Sequence, residues 1–168
     1  MAKAKDYREL LKTPFDTGIR NFTSTAKYFL YYAPSIDSAH SPGDISDERS
    51  EVVFTEMMNL TGRKSKFRVL QKIQKSSWEK SGLDGYLLNF EEIGMLCDRF
   101  RQESEVHALL RHIRNALAHG YVYVRKIKAG NYVFLIDYDA GKNRMTAKIL
   151  ITDKILSQWK ALLENEIV

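Results

Sequence analysis

Through the first 119 residues, apolar positions recur at mostly helical spacing, and after Gly120 they switch to alternation. Residues 4–12 are expected to form a short helix. A second is expected over 16–33, where Phe22, Ala26, Phe29, Leu30 and Ala33 share a face. Pro34 to Gly43 is rich in Ser, Asp and Pro and predicts an exposed loop. Asp44 or Ser46 can cap a third helix over 47–60, with Val52, Val53, Met57 and Leu60 as its apolar stripe. Thr61-Gly62 interrupts it, and Phe67, Leu70 and Ile73 predict a further helix over 64–80. Asn89 followed by Glu92 three residues on is an N-terminal capping signal. From there Ile93, Leu96, Cys97 and Phe100, then Val106, Leu109, Leu110, Ile113 and Leu117, mark apolar faces. The spacing stutters near Gln102–Ser104, so this is one kinked helix or two abutting ones, and Gly120 ends it.

Beyond Gly120, Tyr121–Lys128 and Asn131–Tyr138 flank Ala129-Gly130 as a two-stranded hairpin. Asp139–Asn143 supplies a second turn, and Met145–Ile151 a third strand. Asp153 caps a closing helix whose buried stripe is Ile155, Leu156, Trp159, Leu162 and Leu163. The expectation is a mainly α fold in a single domain spanning 1–168. It comprises a helical bundle over about 4–119, a three-stranded antiparallel β-meander over about 121–151, and a C-terminal helix over about 153–166.

A length of 168 residues suffices for one core without covalent staples. The composition, 44% hydrophobic and 28% charged, is that of an ordinary globular protein, and the net charge of +5 leans toward an acidic partner such as nucleic acid. Cys97 is the sole cysteine, which excludes an intrachain disulfide and a cysteine zinc site. No His or Cys falls in a metal-ligand spacing, and there is no phosphate-cradling glycine loop or Gly-x-Ser-x-Gly elbow, so no metal or cofactor is expected. Met1–Asp6 leads into no apolar signal region, and no apolar run approaches membrane-spanning length. The cytoplasm is the expected compartment.

The chemistry-bearing run is Arg114-Asn115-Ala116-Leu117-Ala118-His119, directly before Gly120. It offers a phosphate-binding guanidinium, an amide and an imidazole within about two helical turns. Transesterification of RNA needs little more: a base for the 2′-OH and a cation for the charge growing on phosphorus. At 100° per residue, Asn115 and His119 stack on one face with Arg111 a further turn behind. Arg114 lies about 140° from His119 on that wheel. To join the site it must reach round, meet a second chain, or sit where the helix end unwinds.

Arg114-Asn115 followed by His119 resembles the motif of HEPN-superfamily ribonucleases, an Arg, often with Asn, and a His four to six residues beyond. The flanking His112-Ile113 and the strands after Gly120 are similar to a branch found near mobile elements and defence loci, and the resemblance covers most of 89–168. It implies Arg114, Asn115 and His119 as catalytic residues and a twofold homodimer with a composite active site. It also implies RNA (tRNA or mRNA) as substrate, a toxin or phage-defence role, and an antitoxin or defence-system partner. The same resemblance admits a non-catalytic module that binds RNA, a nucleotide or a protein. A third reading is a structural dimer in which Arg114 and His119 only cap and pair.

Further candidate RNA contacts are Arg111 and His112, the latter about 20° from His119 on the wheel and otherwise a surface histidine. Lys64, Arg68, Lys72 and Lys75 would form a phosphate-tracking stripe on the 64–80 helix, or simply a solvated face. Tyr121, Tyr123 and Arg125 would alternate onto one side of a strand, to stack on bases or to pack a sheet.

Overall fold

The computed structural model describes residues 22–62, 67–81, 83, 93–127 and 130–166. Helix α1 (Phe22–Lys27) continues as a π-helical turn, Tyr28–Tyr32, and is followed by α2 (Asp47–Thr61). Then come β1 (Phe67–Leu70), α3 (Lys75–Ser81), β2 (Gly94–Asp98) and α4 (Glu105–His119). The chain closes with β3 (Val122–Ile127), β4 (Gly130–Asp139), β5 (Arg144–Thr152) and α5 (Asp153–Glu166). The expected helix over 4–12 and the Asn89–Glu92 cap lie outside the described residues.

The expected mainly α bundle with a three-stranded meander is corrected to a mixed α/β fold. Its sheet has five strands in the order β1-β2-β5-β4-β3. The β3-β4-β5 meander is antiparallel as expected, but β5 continues the sheet onto β2, and β2 pairs in parallel with β1. Parts of two expected helical stretches therefore become strands. All five residues of β2 are buried, because β2 lies inside the sheet with α3 packed on one face and α4 on the other. The run Ile93-Gly-Met-Leu-Cys97 is what such a strand requires, and a short apolar run carries no period that separates it from a helix. The 64–80 helix gives way to β1 and α3, separated by a bend at Gln71-Lys72. Its three apolar positions, Phe67, Leu70 and Ile73, fit a short edge strand and its exit as well as a helix face.

Period-two pairing sorts the sheet's side chains. Cys97, Asp137, Ala147 and Ile149 share the face covered by α4 and α5, while Leu96, Ile136 and Lys148 share the opposite face with Trp78 of α3. Lys148 is fully buried, its ammonium 5.2 Å from the centre of the Trp78 ring. Between the pairs Asp137–Ala147 and Tyr138–Met145, β5 carries one extra residue, Thr146, whose hydroxyl donates to the Asp137 carbonyl at 3.1 Å. This β-bulge bends the start of β5 beside the cleft described below.

Helix α4 begins where the apolar spacing stutters. The Ser104 side chain accepts from the His107 amide there. It ends at Gly120, φ 72°, whose N–H reaches the Leu117 carbonyl while the Tyr121 N–H reaches that of Ala116. These two bonds form a Schellman stop, and the positive φ suits glycine. Helix α2 packs against both α4 and α5, and the Trp159 indole N–H of α5 donates to the Met57 carbonyl of α2 at 2.8 Å. Trp159 is fully buried. Trp159→Ala is therefore expected to lower unfolding free energy by about 3–5 kcal/mol, read by urea denaturation. A loss below about 1 kcal/mol would show that this junction does not hold the helical layer.

Candidate active site

A cleft of about 830 Å³ opens where the C-terminal end of α4 meets the bulged ends of β4 and β5. Asn115 and His119 line it from α4, as their four-residue spacing predicts, and Arg111 lines it one turn earlier. Lys142 and Arg144 line it from the β4–β5 turn and the start of β5, and Asp98, Asp137 and Asp139 are also in the lining. His119 is exposed, its ring edge-on to that of the buried Tyr121 at 6.1 Å.

Behind the cleft runs a chain of polar contacts. His112 is fully buried, which corrects the surface histidine expected from sequence. Its Nδ1 donates to Asp137 Oδ2 at 2.7 Å and its Nε2 to the Asp98 carbonyl at 2.7 Å, with Asp98 Oδ1 at 3.1 Å. Both nitrogens face groups that only accept, so the ring is an imidazolium. Burial alone would depress its pKa, but the bonds to Asp137 and Asp98 outweigh that and raise it. Burial likewise pushes Asp137 up, and the bonds from His112 and Asn115 bring it below the ordinary carboxylate range. His112 thus has no nitrogen left for RNA, and its role is structural.

Asn115 completes the chain. Its amide Nδ2 donates to Asp137 Oδ2 at 3.1 Å, and its Oδ1 accepts from Arg114 Nη1 at 3.1 Å. The amide is thereby oriented from both ends, with one N–H still directed by the same plane. Arg111 is committed elsewhere: it forms two bonds to Glu103 at 2.7 and 2.8 Å and stacks on Phe100 at 4.2 Å. Burial opposes ionisation of Glu103, but the Arg111 fork and the Phe100 amide hold its pKa below the usual value. The more accessible cations of the cleft are Arg144, 3.2 Å from Asp98, and Lys142, 4.0 Å from Asp139.

Arg114 opens the other way. Helix α4 stays regular through His119, so the end does not unwind to bring the two together. Arg114 lines a separate depression of about 500 Å³ with Leu117, Tyr31, Asp37, Ser38 and His40. The two hollows meet at Ala118, which lines both. Buried Cys97 sits under the network, its thiol pushed well above its ordinary pKa first by burial and then by Asp98.

The remaining candidates disperse. Arg68 on β1, Lys72 in the following bend and Lys75 at the start of α3 are exposed but share no helical face, and Lys64 lies outside the described residues. Tyr123 is half-buried on β3, and the Arg125 side chain lies outside the described part. Asp98, Glu103, Asp137, Lys142 and Arg144 were missed by sequence reasoning. The available signal was Asp137 itself, an acid interrupting the apolar strand run Val133–Ile136, where aspartate is disfavoured unless paired. Among the described residues no cluster of three or more His, Cys, Asp or Glu side chains is arranged to hold a metal ion. None of their helices is long and apolar enough to cross a membrane. No family model, curated protein or solved structure matches this chain.

The buried imidazolium has a defined pH signature. Its stabilisation is complete below the unfolded histidine pKa of about 6.5 and is lost as pH rises through the higher folded value. The Asp137 contribution is complete above about pH 4 and is lost as pH falls through its lowered folded value. His112→Ala should cost about 3–5 kcal/mol near pH 6, since it removes the charged partner of the buried Asp137 carboxylate, and distinctly less near pH 9. An equal loss at both values in urea titrations would show that the wild-type ring is neutral.

Proposed function

We propose that this chain is an endoribonuclease that cleaves RNA without a metal, acting at the C-terminal end of α4. The observation that carries this reading is the shared cleft: an exposed imidazole, an amide fixed from behind, and Arg144 and Lys142 in the same lining. His119 takes the proton from a ribose 2′-OH, and the freed oxygen attacks the adjacent phosphorus. The bond to the 5′ oxygen breaks as that oxygen gains a proton, leaving a 2′,3′-cyclic phosphate and a 5′-OH end. Asn115 donates its remaining N–H to the phosphate, and guanidinium charge offsets the negative charge gathering on the non-bridging oxygens.

The likeness of Arg114-Asn115 and His119 to the HEPN ribonuclease motif supports the reading, although the bundle fold it implied is not the fold found here. Because Arg114 and His119 open onto opposite sides of Ala118, one chain presents an incomplete set to one phosphate. A twofold homodimer that juxtaposes two α4 ends would supply a second imidazole as acid. In a cell such an enzyme would act as a toxin or phage-defence effector under an antitoxin. Growth arrest on expression, relieved by His119→Ala, is the matching phenotype.

The divergence of Arg114 from His119 also favours a second reading, a non-catalytic module that holds RNA or a nucleotide. Cleavage assays separate the two. RNA should be cut in EDTA, while DNA and 2′-O-methyl RNA stay whole. His119→Ala and Arg114→Ala should each reduce the rate by about 10²-fold or more. Full activity in His119→Ala would remove the proposed base, and binding without cleavage by the wild type would favour the module.

A further inference from the structure

The Arg114 depression has walls that the cleavage chemistry does not use. Tyr31 and Tyr32 are 42% and 50% exposed, although the preceding Tyr28, Phe29 and Leu30 of the same π-helical turn are buried. A π-turn adds a residue to the helical repeat, and such turns recur at functional sites. Here it ends at Ala33, whose N–H bonds the Tyr28 carbonyl, and Pro34 blocks continuation. The two tyrosines are left exposed and set edge to face, ring centroids 6.4 Å apart and planes 76° to each other.

The loop that follows folds back to bring a third ring to them. Ser38 Oγ donates to the Tyr31 carbonyl at 2.8 Å and accepts from the His40 amide at 3.2 Å. Ser41 Oγ donates to the Ala33 carbonyl at 2.8 Å, and the Ser35 N–H to that of Gly43 at 2.9 Å. His40 then lies 5.6 Å from Tyr32, tilted by 36°, and 6.5 Å from Tyr31, edge-on. Tyr31, Tyr32 and His40 are all exposed.

Cations flank this aromatic group on both sides. Arg114 lies in the depression lined by Tyr31 and His40. On the far side Tyr32 joins Lys27, Lys160 and Tyr28 in a second hollow of about 800 Å³. Glu164 pairs with Lys160 there at 3.4 Å, which leaves the exposed Lys27 as the more available cation of that hollow, while Arg114 shares its depression with Asp37. Flat rings between spaced cations are what a single strand of nucleic acid requires: π faces for bases and positive charge for the backbone.

We infer that Tyr31, Tyr32 and His40 form a stacking platform for unpaired RNA bases, with Arg114 and Lys27 holding the phosphates on either side. This rests on the RNA reading of the neighbouring cleft and extends it. The strand crosses the end of α4 at Ala118, with its scissile phosphate in the His119 cleft and its neighbouring bases on the tyrosines. Arg114 is thereby a backbone-holding residue on the path into the cleft, within one chain.

The test uses the full-length protein and a fluorescent 2′-O-methyl RNA decanucleotide, beside an abasic strand of the same length, in anisotropy titrations. Wild type should bind the strand with bases about 10–100-fold more tightly than the abasic strand. Tyr31→Leu combined with Tyr32→Leu should bind both strands equally weakly, and the corresponding pair of Phe substitutions should restore the difference. Equal affinity of wild type for both strands, or an undiminished base preference in the Leu variant, would overturn the platform. Cleavage of unmodified RNA by wild type is scored in parallel. A base preference abolished only by Leu, with no cleavage, keeps the platform and removes the nuclease; cleavage with an undiminished preference in the Leu variant does the reverse.

Discussion

The site is organised by one buried charge, the His112 imidazolium, held between the Asp98 carbonyl of β2 and the Asp137 carboxylate of β4. A charge in that position is costly to desolvate and is tolerated because both ring protons are matched by acceptors. It stitches α4 to two non-adjacent strands, since β5 lies between β2 and β4 in the sheet. Because Asp137 also accepts from Asn115, the position of α4 on the sheet and the orientation of the Asn115 amide are set by the same contact.

From this anchor the rest of the site follows by helical geometry. With His112 turned inward, Asn115 faces the junction of helix and sheet, and His119 stands one turn further on at the rim. Gly120 then ends the helix and turns Tyr121 inward beside the His119 ring. Arg114, one residue before Asn115, is carried to the opposite side, where its guanidinium touches Asn115 but faces the aromatic loop. A regular helix thus divides the motif into a proton-transfer side and a strand-holding side.

Much of the second half of the chain was legible in its sequence. Hairpin turns, alternation from Tyr121 to Ile151 and the Asp153 start predict β3, β4, β5 and α5 nearly to the residue, because those elements are long and strongly periodic. The short strands β1 and β2 were not legible: four or five residues carry no distinguishing period, and partners distant in sequence make them strands. At the site, the spacing of Asn115 and His119 foretold their shared face and the divergence of Arg114. The burial of His112 was hidden because its partners, Asp98 and Asp137, lie 14 and 25 residues away. A histidine on an otherwise apolar helix face, among Leu109, Ile113 and Ala116, was the clue available.

The central claim is that the His119 cleft drives attack by a neighbouring 2′-OH, and the chemistry of the cut ends reports on it most directly. Purified protein incubated with tRNA and with total RNA should leave 2′,3′-cyclic phosphate and 5′-OH termini at mapped sites. Fragments bearing 3′-OH and 5′-phosphate ends, or RNA left whole, would contradict the account.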